Sequence, residues 1–417
     1  MSEMTLKIGY LVQQFPPEVG AGPARVAEMA TRWIEAGHSV AVFTGMPNRP
    51  EGRIHPKYRG KLLMREEWEG IEVFRSWLYA SPKHGFGRTV LNNTSFMASA
   101  AAHTIARGGK LDVLIASSPP FFPHLAGRAA AMLRGLPLVL EVRDLWPDYM
   151  VQMGVIKGRP AKALFALERR LLRAADQVVV VTESFRSRMV EKGVDPARVH
   201  VIPNGVETER YYRDPADPPP APELRRTDGD WLVGYLGNFG AGQNLSAVLQ
   251  AAALLADDRP RVRFVLAGDG PHGGELRARA AELPNVSVLP PIPKEATRAF
   301  YNACDVCLVP LAPVPVFQET VPSKLFEILA CERPVVASLE GEGRAIVEAS
   351  GAGVVRPPGD PASIADGIRA IRAMDESQRA AMGRSGRAYV ERGYSRAALA
   401  EQYVGVLHAA VREHRRG

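Results

Sequence analysis

The sequence has little cysteine: Cys304, Cys307 and Cys331 are the only three in 417 residues. Three cysteines cannot build a disulfide framework. Cys304 and Cys307 are spaced as Cys-x-x-Cys, but a zinc site of that kind needs a second pair of ligands, which Cys331 alone does not supply. We therefore expect structural cysteines and a reducing compartment.

Long apolar runs are also missing. The first apolar run, Ile8 to Val12, has the length of a strand and not of a signal-peptide core. No run approaches the roughly 20 residues that cross a bilayer as a helix. The sequence therefore predicts a cytoplasmic protein with neither a signal peptide nor a membrane span.

Residues suited to metal binding do not cluster. No group of His, Asp and Glu has metal-ligand spacing, and no Asp-x-Asp pair stands where a metal-bound diphosphate would need it. We expect no metal and no other cofactor.

Acidic residues are fewer than basic ones: the sequence has 45 Asp and Glu and 52 Lys and Arg, which gives a net charge of +7. A basic surface can bind nucleic acid, anionic lipid or a phosphorylated substrate. The arginines are scattered, which fits a bias of composition, and no nucleic-acid-binding module is evident. Two basic amphipathic stretches, 83–110 and 159–173, could lie on anionic lipid or could pack on a sheet.

The order of apolar segments predicts two α/β domains. Short runs rich in Val, Ile and Leu alternate with helical stretches, as in doubly wound parallel sheets that are covered on both faces. The predicted strands are 7–12, 39–44, 71–76, 113–117, 138–142 and 177–181 in the first half, then 231–236, 262–267, 286–289, 306–310, 335–337 and 353–355.

A proline-rich stretch at 214–222 separates the two halves, because it can join neither sheet. We expect an N-terminal domain at 1–210, a linker at 211–229, a C-terminal domain at 230–395 and a final helical segment at 396–417. Ligands of open parallel sheets bind beyond the carboxyl ends of the strands. The loops at those ends, facing a cleft between the domains, are therefore the candidate site.

The most informative motif lies where a loop passes into a helix after strand 306–310. Glu319 and Glu327 stand eight residues apart there and bracket Lys324. Pro322 suits the first turn of the helix and Ser323 can cap it, so that the backbone amides would face an anion. Lys324 adds positive charge, and Glu327 could accept hydrogen bonds from sugar hydroxyls. This chemistry indicates a nucleotide-diphosphate sugar.

Glycine-rich turns follow the first strand of each half. Gly20 and Gly22 precede the first helix, and the turn after strand 231–236 contains Asn238 and Gln243, which offer uncharged amide donors. Such turns either cradle phosphate or are tight turns without a ligand. After strand 286–289, Pro291 and Ile292 form an apolar slot for a flat base.

A nicotinamide cofactor is disfavoured by the first of these turns. A dinucleotide site would need a third glycine, where Arg25 or Val26 stands. It would also need an acid after the second strand, which ends instead in Thr44 and Gly45.

Charged residues crowd the end of strand 138–142. Glu141, Arg143 and Asp144 are costly there unless they are paired or functional. Glu141 or Asp144 could act as a general base, and Arg143 could hold a carboxylate or a phosphate. An internal ion pair of Arg143 with an Asp is the structural alternative. His124, just past another strand end, is a further candidate.

Together these segments resemble retaining glycosyltransferases of family 4, whose GT-B fold has two Rossmann-like, doubly wound domains facing a central cleft. The resemblance covers nearly the whole chain and rests on segments 20–22, 141–148, 201–206, 268–270, 285–310 and the paired glutamates at 319 and 327. Segments 142–147, 237–238 and 321–324 look like a bacterial subgroup. Its members build O-antigen, capsule or exopolysaccharide, some with N-acetylated amino sugars on polyprenyl-diphosphate carriers.

The resemblance implies a role for each candidate residue. Glu327 would bind the ribose hydroxyls, Lys324 and nearby amides would hold the diphosphate, and Glu319 would lie at the donor sugar. Pro291 and Ile292 would meet the base, and the segment from Gly20 to Gly22 would meet the diphosphate or the acceptor. The last helix would return to the N-terminal domain, and helix ends with positive charge would replace a metal.

Two departures from the family pattern stand out. Many members carry Arg and Lys where Asn238 and Gln243 stand, so Lys324, helix amides and Arg143 would have to meet the diphosphate charge. Many members also have a histidine near the strand end where acids stand here. Either acid, Glu141 or Asp144, could take over its role, or the leaving phosphate could take the acceptor proton.

The resemblance implies a metal-independent retaining transferase that is either free in the cytoplasm or peripheral on the inner face of the plasma membrane. We expect a UDP-sugar donor, with an N-acetylated amino sugar among the candidates, and a polyprenyl-diphosphate-linked acceptor in surface polysaccharide synthesis. A small soluble acceptor, such as a secondary metabolite, is the alternative within the family. A UDP-sugar epimerase of the same fold is disfavoured by the paired glutamates, and a nucleic-acid-binding protein by the scattered charge.

Overall fold

The computed structural model describes residues 4–416 apart from 84, 108–109, 153 and 228. The chain divides into two compact units, of which the first comprises Met1–Pro203 with Arg396–Gly417 and the second comprises Asn204–Ser395. The proline-rich segment belongs to the second unit, where Leu224 is buried in its core and Arg298 pairs with Asp217 at 2.7 Å. Residues ahead of it belong there too, since the amide of Val206 donates to the carbonyl of Tyr394 at 2.9 Å and Tyr211 is buried in the same core.

The first unit contains an eight-stranded sheet in the order β3-β4-β2-β1-β5-β6-β7-β8. Its strands are β1 (Lys7–Leu11), β2 (Ser39–Gly45), β3 (Leu63–Trp68), β4 (Ile71–Ser76), β5 (Val113–Ser118), β6 (Leu138–Val142), β7 (Gln177–Val180) and β8 (Val199–Val201). All neighbours are parallel except β3, which is antiparallel to β4. Its helices are α1 (Ala21–Glu35), α2 (Phe86–Arg107), α3 (Phe122–Arg134), α4 (Trp146–Gln152), α5 (Gly158–Arg173), α6 (Glu183–Glu191) and, at the end of the chain, α14 (Arg396–His414).

The second unit contains a six-stranded parallel sheet in the order β11-β10-β9-β12-β13-β14. The strands are β9 (Trp231–Leu236), β10 (Val262–Ala267), β11 (Val286–Leu289), β12 (Val306–Pro310), β13 (Val335–Ser338) and β14 (Gly353–Arg356). The helices are α7 (Leu245–Leu254), α8 (Gly273–Ala280), α9 (Thr297–Ala303), α10 (Lys324–Ala330), α11 (Gly341–Ser350), α12 (Pro361–Arg372) and α13 (Glu376–Gly393).

Apolar cores cover both faces of each sheet, as their continuous Val, Ile and Leu content predicts. In the first unit, α1 and α14 share one core. Trp33 of α1 meets Tyr403 of α14 edge-on at 5.3 Å and donates a hydrogen bond to the carbonyl of Ala400. The last helix is therefore part of the first unit, although the whole second unit precedes it in the chain.

The predicted doubly wound α/β class is confirmed, and the predicted strands are present within a residue or so of their expected ends. Sequence analysis missed β3 and β8. Strand β3 has alternately exposed residues and a polar half, as suits a sheet edge, and β8 has three residues. Neither carries the continuous apolar run that marks a buried parallel strand.

The stretch at 159–173, proposed as lipid-binding, largely coincides with α5. This helix buries Leu171 and Leu172 within its own unit, which favours the packing alternative for its apolar side. Among the described helices, none is long and apolar enough to cross a membrane.

Each sheet has a topological switch point, where successive strands stop being added on one side and start being added on the other. It lies between β1 and β5 in the first unit and between β9 and β12 in the second. Ligands of such sheets bind at the carboxyl ends of the strands near this reversal. The candidate residues follow β1 and β6 in the first unit and β9, β11 and β12 in the second.

Candidate active site

Lys324 is the first residue of α10, and its amine lies over the carboxyl end of β9. Its Nζ is 3.9 Å from the ring centroid of Tyr235 and 3.5 Å from Oε1 of Gln243. A Cβ at Gly237 would come within 2.5 Å of this Nζ, and Gly237 has a φ of 151°. Glycine is therefore required where the lysine crosses the turn. The fold thus joins the lysine of the paired-glutamate motif to the turn that contains Gln243.

The amine of Lys324 has little counter-charge around it. Although the residue as a whole is partly exposed, its amine lies against an aromatic ring. Burial lowers the pKa of Lys324 to about 7, and the opposing effect of the Glu327 carboxylate is smaller. A diphosphate bound beside this amine would supply the missing negative charge and raise its pKa.

Glu327 lies one turn further along α10 and is held by a buried tyrosine. The hydroxyl of Tyr301, on α9, donates to Oε2 of Glu327 at 2.9 Å. Burial, and then the Glu327 carboxylate, raise the pKa of Tyr301 well above its usual value, so the phenol stays protonated and remains a donor. This contact fixes one carboxylate oxygen of Glu327.

Glu319 ends a short 3₁₀ turn, Pro315–Glu319, and is half-buried. The start of α11 supports this turn. Gly341, with a φ of 66°, lies so close to Gln318 that a Cβ would come within 1.8 Å of the Gln318 carbonyl oxygen, and Nε2 of Gln318 donates to Glu340 at 2.9 Å. The backbone ahead of α10 is therefore fixed by packing.

The predicted cap of α10 is wrong. Ser323 has helical backbone angles, φ −58° and ψ −31°, and its side chain makes no capping hydrogen bond. A capping residue normally has an extended backbone from which its oxygen reaches the first helical amides. Pro322 stands ahead of the helix and not in its first turn, and its carbonyl accepts from the amide of Leu325 at 3.0 Å.

Asn238 and Gln243 have different surroundings in the turn after β9. Asn238 lies between two glycines, since a Cβ at Gly240 or Gly270 would come within 2.8 or 2.4 Å of its side-chain amide. The backbone carbonyl of Asn238 accepts a hydrogen bond from the hydroxyl of Tyr235 at 2.7 Å. Asn238 thus connects the turns after β9 and β10, whereas Gln243 faces the Lys324 amine.

Pro291 and Ile292 follow β11 at the same edge of the sheet. Pro291 is exposed, while Ile292 is partly buried against the core that contains Leu325 of α10. The structure thus brings Ile292 and α10 to one core, and it leaves Pro291 on the surface.

Glu141, at the end of β6 in the first unit, is fully buried within a network of donors. Tyr10 and Ser117 donate their hydroxyls to Oε2 at 2.7 and 2.6 Å, and the Arg25 guanidinium lies 3.1 Å from Oε1. Burial raises the pKa of Glu141, but Arg25, Arg143 and the two hydroxyls lower it more, so the net shift is downward. Glu141 is therefore a buried anion with no exposed surface, which disfavours the predicted role of general base.

Arg143 connects this network to the first glycine turn. Its Nε lies 3.5 Å from Glu141 and donates to the carbonyl of Ser118 at 3.1 Å, and NH1 donates to the carbonyl of Gly22 at 3.3 Å. The predicted internal ion pair exists, but its acid is Glu141 and not an Asp. Gly20, with a φ of 150°, precedes α1, but Gly22 lies in the first turn of that helix and not ahead of it as expected. Arg143 thus links the start of α1 to the end of β6.

Asp144 follows β6 and is half-buried. Burial raises its pKa to about 6, with Asp148 acting in the same direction and Arg143 in the opposite one. A carboxyl group with this pKa exchanges protons near neutral pH, as a general base must. Of the two acids at this strand end, Asp144 is the one suited to that chemistry.

His124, in the first turn of α3, is a buried anchor. Its Nε2 lies 3.1 Å from the carbonyl oxygen of Glu141, and burial lowers the pKa of His124 to about 4. It is therefore neutral at physiological pH and belongs to the packing of the strand end.

Sequence reasoning missed several partners of these residues. Arg25 donates to the carbonyls of Ile202 and Pro203, at 2.9 and 2.6 Å, as well as to Glu141. One signal was available, because a charged residue on the apolar side of α1 needs a buried partner. Tyr235 and Tyr301 resemble any other core aromatic in the sequence.

All three cysteines are buried and free, as expected. In the described part of the chain, no group of His, Cys, Asp and Glu has the arrangement of a metal site.

Comparisons with known proteins agree with this architecture. Residues 20–205 match the family model of a glycosyl transferase 4-like domain, and residues 231–373 match that of glycosyl transferases group 1. WcaI of Escherichia coli (strain K12), named as a colanic acid biosynthesis glycosyl transferase, is 29% identical over 338 residues, which cover 78% of this chain and 81% of that protein.

Two solved structures show the same fold over 97% of this chain. Sucrose-phosphate synthase from Thermosynechococcus elongatus has a TM-score of 0.74 at 22% identity, and the match covers 98% of that protein's chain. HepE of Anabaena, in complex with UDP and glucose, has a TM-score of 0.71 at 19% identity, and the match covers 99% of that protein's chain. The two family models, the relative and these folds lead to one conclusion: the chain belongs to glycosyltransferase family 4 and has the GT-B fold.

Proposed function

We propose that this glycosyltransferase uses a UDP-sugar, transfers a hexose or an N-acetylhexosamine with retention of configuration, and requires no metal. Its acceptor is a polyprenyl-diphosphate-linked sugar of surface polysaccharide synthesis, reached from the inner face of the plasma membrane. The observation that carries the proposal is the Lys324 amine, which lies over the end of β9 with a lowered pKa and little counter-charge. That environment suits a diphosphate.

The second unit binds the donor in this proposal. Lys324 and Gln243 contact the diphosphate, and Glu327, held by Tyr301, accepts hydrogen bonds from the ribose hydroxyls. Glu319 contacts the sugar. Asn238 shapes the turn after β9, and the slot formed by Pro291 and Ile292 holds the base.

Two comparisons support the finer substrate assignments. HepE was solved with UDP and glucose, which supports UDP as the nucleotide. WcaI is named for the biosynthesis of colanic acid, which supports a role in polysaccharide synthesis.

The first unit binds the acceptor, through Gly20 and the start of α1 at Gly22, which Arg143 contacts. Asp144 accepts the proton of the attacking acceptor hydroxyl, since its pKa of about 6 leaves it ionised at neutral pH. A glycosidic C–O bond forms at the anomeric carbon on the face from which the C–O bond to the diphosphate breaks, and UDP departs. Lys324 stabilises the charge that develops on the leaving diphosphate.

A panel of UDP-, GDP-, ADP- and dTDP-sugars tests the donor. We expect the wild-type protein to bind UDP-sugars and to release UDP slowly, in the presence of a chelator as well as in its absence. Lys324→Met should weaken binding, and the matched variant Arg344→Met should not, because Arg344 is exposed on α11 and paired with Glu348. Failure to bind any nucleotide sugar would contradict the proposal.

The acceptor and the stereochemistry need a second assay. Transfer to polyprenyl-diphosphate sugars is compared with transfer to small soluble acceptors, and the anomeric configuration of the product is read by NMR. An inverted product, or turnover restricted to soluble acceptors, would refute the corresponding part of the proposal.

A further inference from the structure

One part of the surface of the first unit combines exposed apolar side chains with unpaired cations. We call it the basic apolar face and define it by Arg53, Arg59, Lys61, Leu62, Leu63 and Trp77. Leu62, Leu63 and Trp77 are 71%, 52% and 37% exposed. Their backbones are neighbours, because the amide of Trp77 donates to the carbonyl of Leu62 at 2.8 Å and Leu63 lies opposite Ser76 in the β3–β4 pair.

A groove of about 460 Å³ opens on this face. Its lining residues include Arg53, Arg59, Trp77 and Tyr79. Arg59 is held in place by a hydrogen bond from its Nε to the carbonyl of Ile54 at 3.0 Å. Because Trp77 follows β4, the groove lies at the carboxyl edge of the sheet, where the Gly20 turn and Asp144 also lie.

Positive charge dominates one part of this segment. Residues 52–65 include five Lys and Arg and no acid, whereas the acids Glu66, Glu67, Glu69 and Glu72 lie further along β3, its turn and β4. Lys57 and Arg65 pair with acids of β3 and β4, but among the described residues Arg53, Arg59 and Lys61 have no carboxylate partner. By contrast, the exposed Arg344 of the second unit has the Glu348 carboxylate at 2.8 Å.

We propose that the basic apolar face docks on an anionic phospholipid bilayer. Arginine and lysine then meet lipid phosphates, Trp77 lies at the headgroup level, and Leu62 and Leu63 reach the acyl boundary. A second copy of the chain is a poor occupant, because it would bring like charges together. Nucleic acid would supply phosphate but would leave the leucines without an apolar partner.

This inference rests on the proposed membrane-bound acceptor, and it assigns the surface through which the enzyme reaches it. Docking by this face would bring the carboxyl edge of β4 to the bilayer. Sequence analysis selected 83–110 and 159–173 instead, because a search for amphipathic helices cannot find a loop and an edge strand.

The test is co-sedimentation of the full chain with vesicles of phosphatidylcholine alone and with vesicles that also contain phosphatidylglycerol. We expect binding only to the anionic vesicles, weakened by salt. The triple variant Arg53→Gln, Arg59→Gln, Lys61→Gln should lower partitioning about a hundredfold, given the usual strength of cation attraction to anionic membranes. Leu62→Ser should lower it about tenfold through the lost apolar burial.

The matched control removes the same charge from α5, where Arg159, Lys162 and Arg169 are exposed. Changing all three to Gln should leave partitioning nearly unchanged. If the α5 variant loses binding while the triple variant of the face keeps it, or if the wild-type protein ignores anionic vesicles, the inference is wrong.

UDP-sugar affinity, measured on the same variants, separates this inference from the proposed function. We expect the triple variant and Leu62→Ser to keep wild-type affinity and melting temperature, which shows that they fold. If the wild-type protein binds UDP-sugar but not anionic vesicles, the docking face is contradicted and the proposed donor is not. Vesicle binding without nucleotide-sugar binding contradicts the proposed donor and leaves the docking face standing.

Discussion

The lowered pKa of Lys324 predicts that nucleotide-sugar affinity depends on pH. In the free protein the amine has a pKa of about 7. Below that pH the amine is already charged when the diphosphate arrives. Above it, binding must take up a proton, because the bound diphosphate restores a pKa closer to that of an ordinary lysine. Affinity should therefore fall as the pH rises.

The size of the effect follows from proton linkage. Each pH unit above the free pKa costs about tenfold in affinity, or about 1.4 kcal/mol, until the pKa of the complex is reached. Between about pH 6 and pH 9 the dissociation constant should rise about a hundredfold, or about 2.7 kcal/mol. A UDP-sugar is the right probe, since its diphosphate diester does not titrate in this range, whereas free UDP does.

Isothermal titration calorimetry measures both consequences. Titrations in buffers of different ionisation enthalpy should show uptake of nearly one proton per UDP-sugar at about pH 8. Lys324→Met should abolish that uptake. It should also weaken binding at low pH by roughly 10- to 150-fold, the usual worth of a hydrogen bond to a charged group. Affinity that is constant from pH 6 to pH 9, with no proton uptake, would refute this account of the lysine.

Three further substitutions test other parts of the site. Glu141→Gln should lower the free energy of unfolding, measured in urea, by about 3–5 kcal/mol, because it leaves buried arginines unpaired. The surface control Glu348→Gln should change that free energy by less than about 1 kcal/mol. Since the folded pKa of Glu141 is lowered, its stabilisation is present above its unfolded pKa and is lost on acidification through the folded value; a small, pH-independent effect would contradict the network. Tyr301→Phe should weaken UDP-sugar binding about three- to tenfold by releasing Glu327. Unchanged affinity would show that the Tyr301–Glu327 hydrogen bond does not contribute to binding. Asp144→Asn should lower kcat by about 10²- to 10⁴-fold and remove an acid limb near pH 6 from the rate profile; a wild-type profile would exclude Asp144 as the base.

Much of the fold could be predicted because the central strands are buried on both faces. Their Val, Ile and Leu runs need no alternation, and each was found within a residue or so of its observed ends. The edge strand β3 could not be found in the same way. Its alternately exposed residues reflect a position at the margin of the sheet, which depends on its pairing with β4 and not on its own composition.

The candidate site was predictable only as far as the rule for strand ends reaches. That rule selected Lys324 and Gln243, which the structure brings within 3.5 Å of each other. It did not supply Tyr235 or Tyr301, because a core aromatic becomes a partner only when the packing of two elements aims its hydroxyl. Glu141 was placed correctly at the end of β6, but no pattern in the sequence shows that Tyr10, Ser117 and Arg25 enclose its carboxylate.

A crystal structure with a bound UDP-sugar tests the central claim most directly. The account predicts that the diphosphate lies at hydrogen-bond distance from Nζ of Lys324 and that the ribose hydroxyls lie on the carboxylate of Glu327, with Tyr301 still bonded to it. A nucleotide found away from α10, or a Glu327 carboxylate without contact to the ribose, would contradict it.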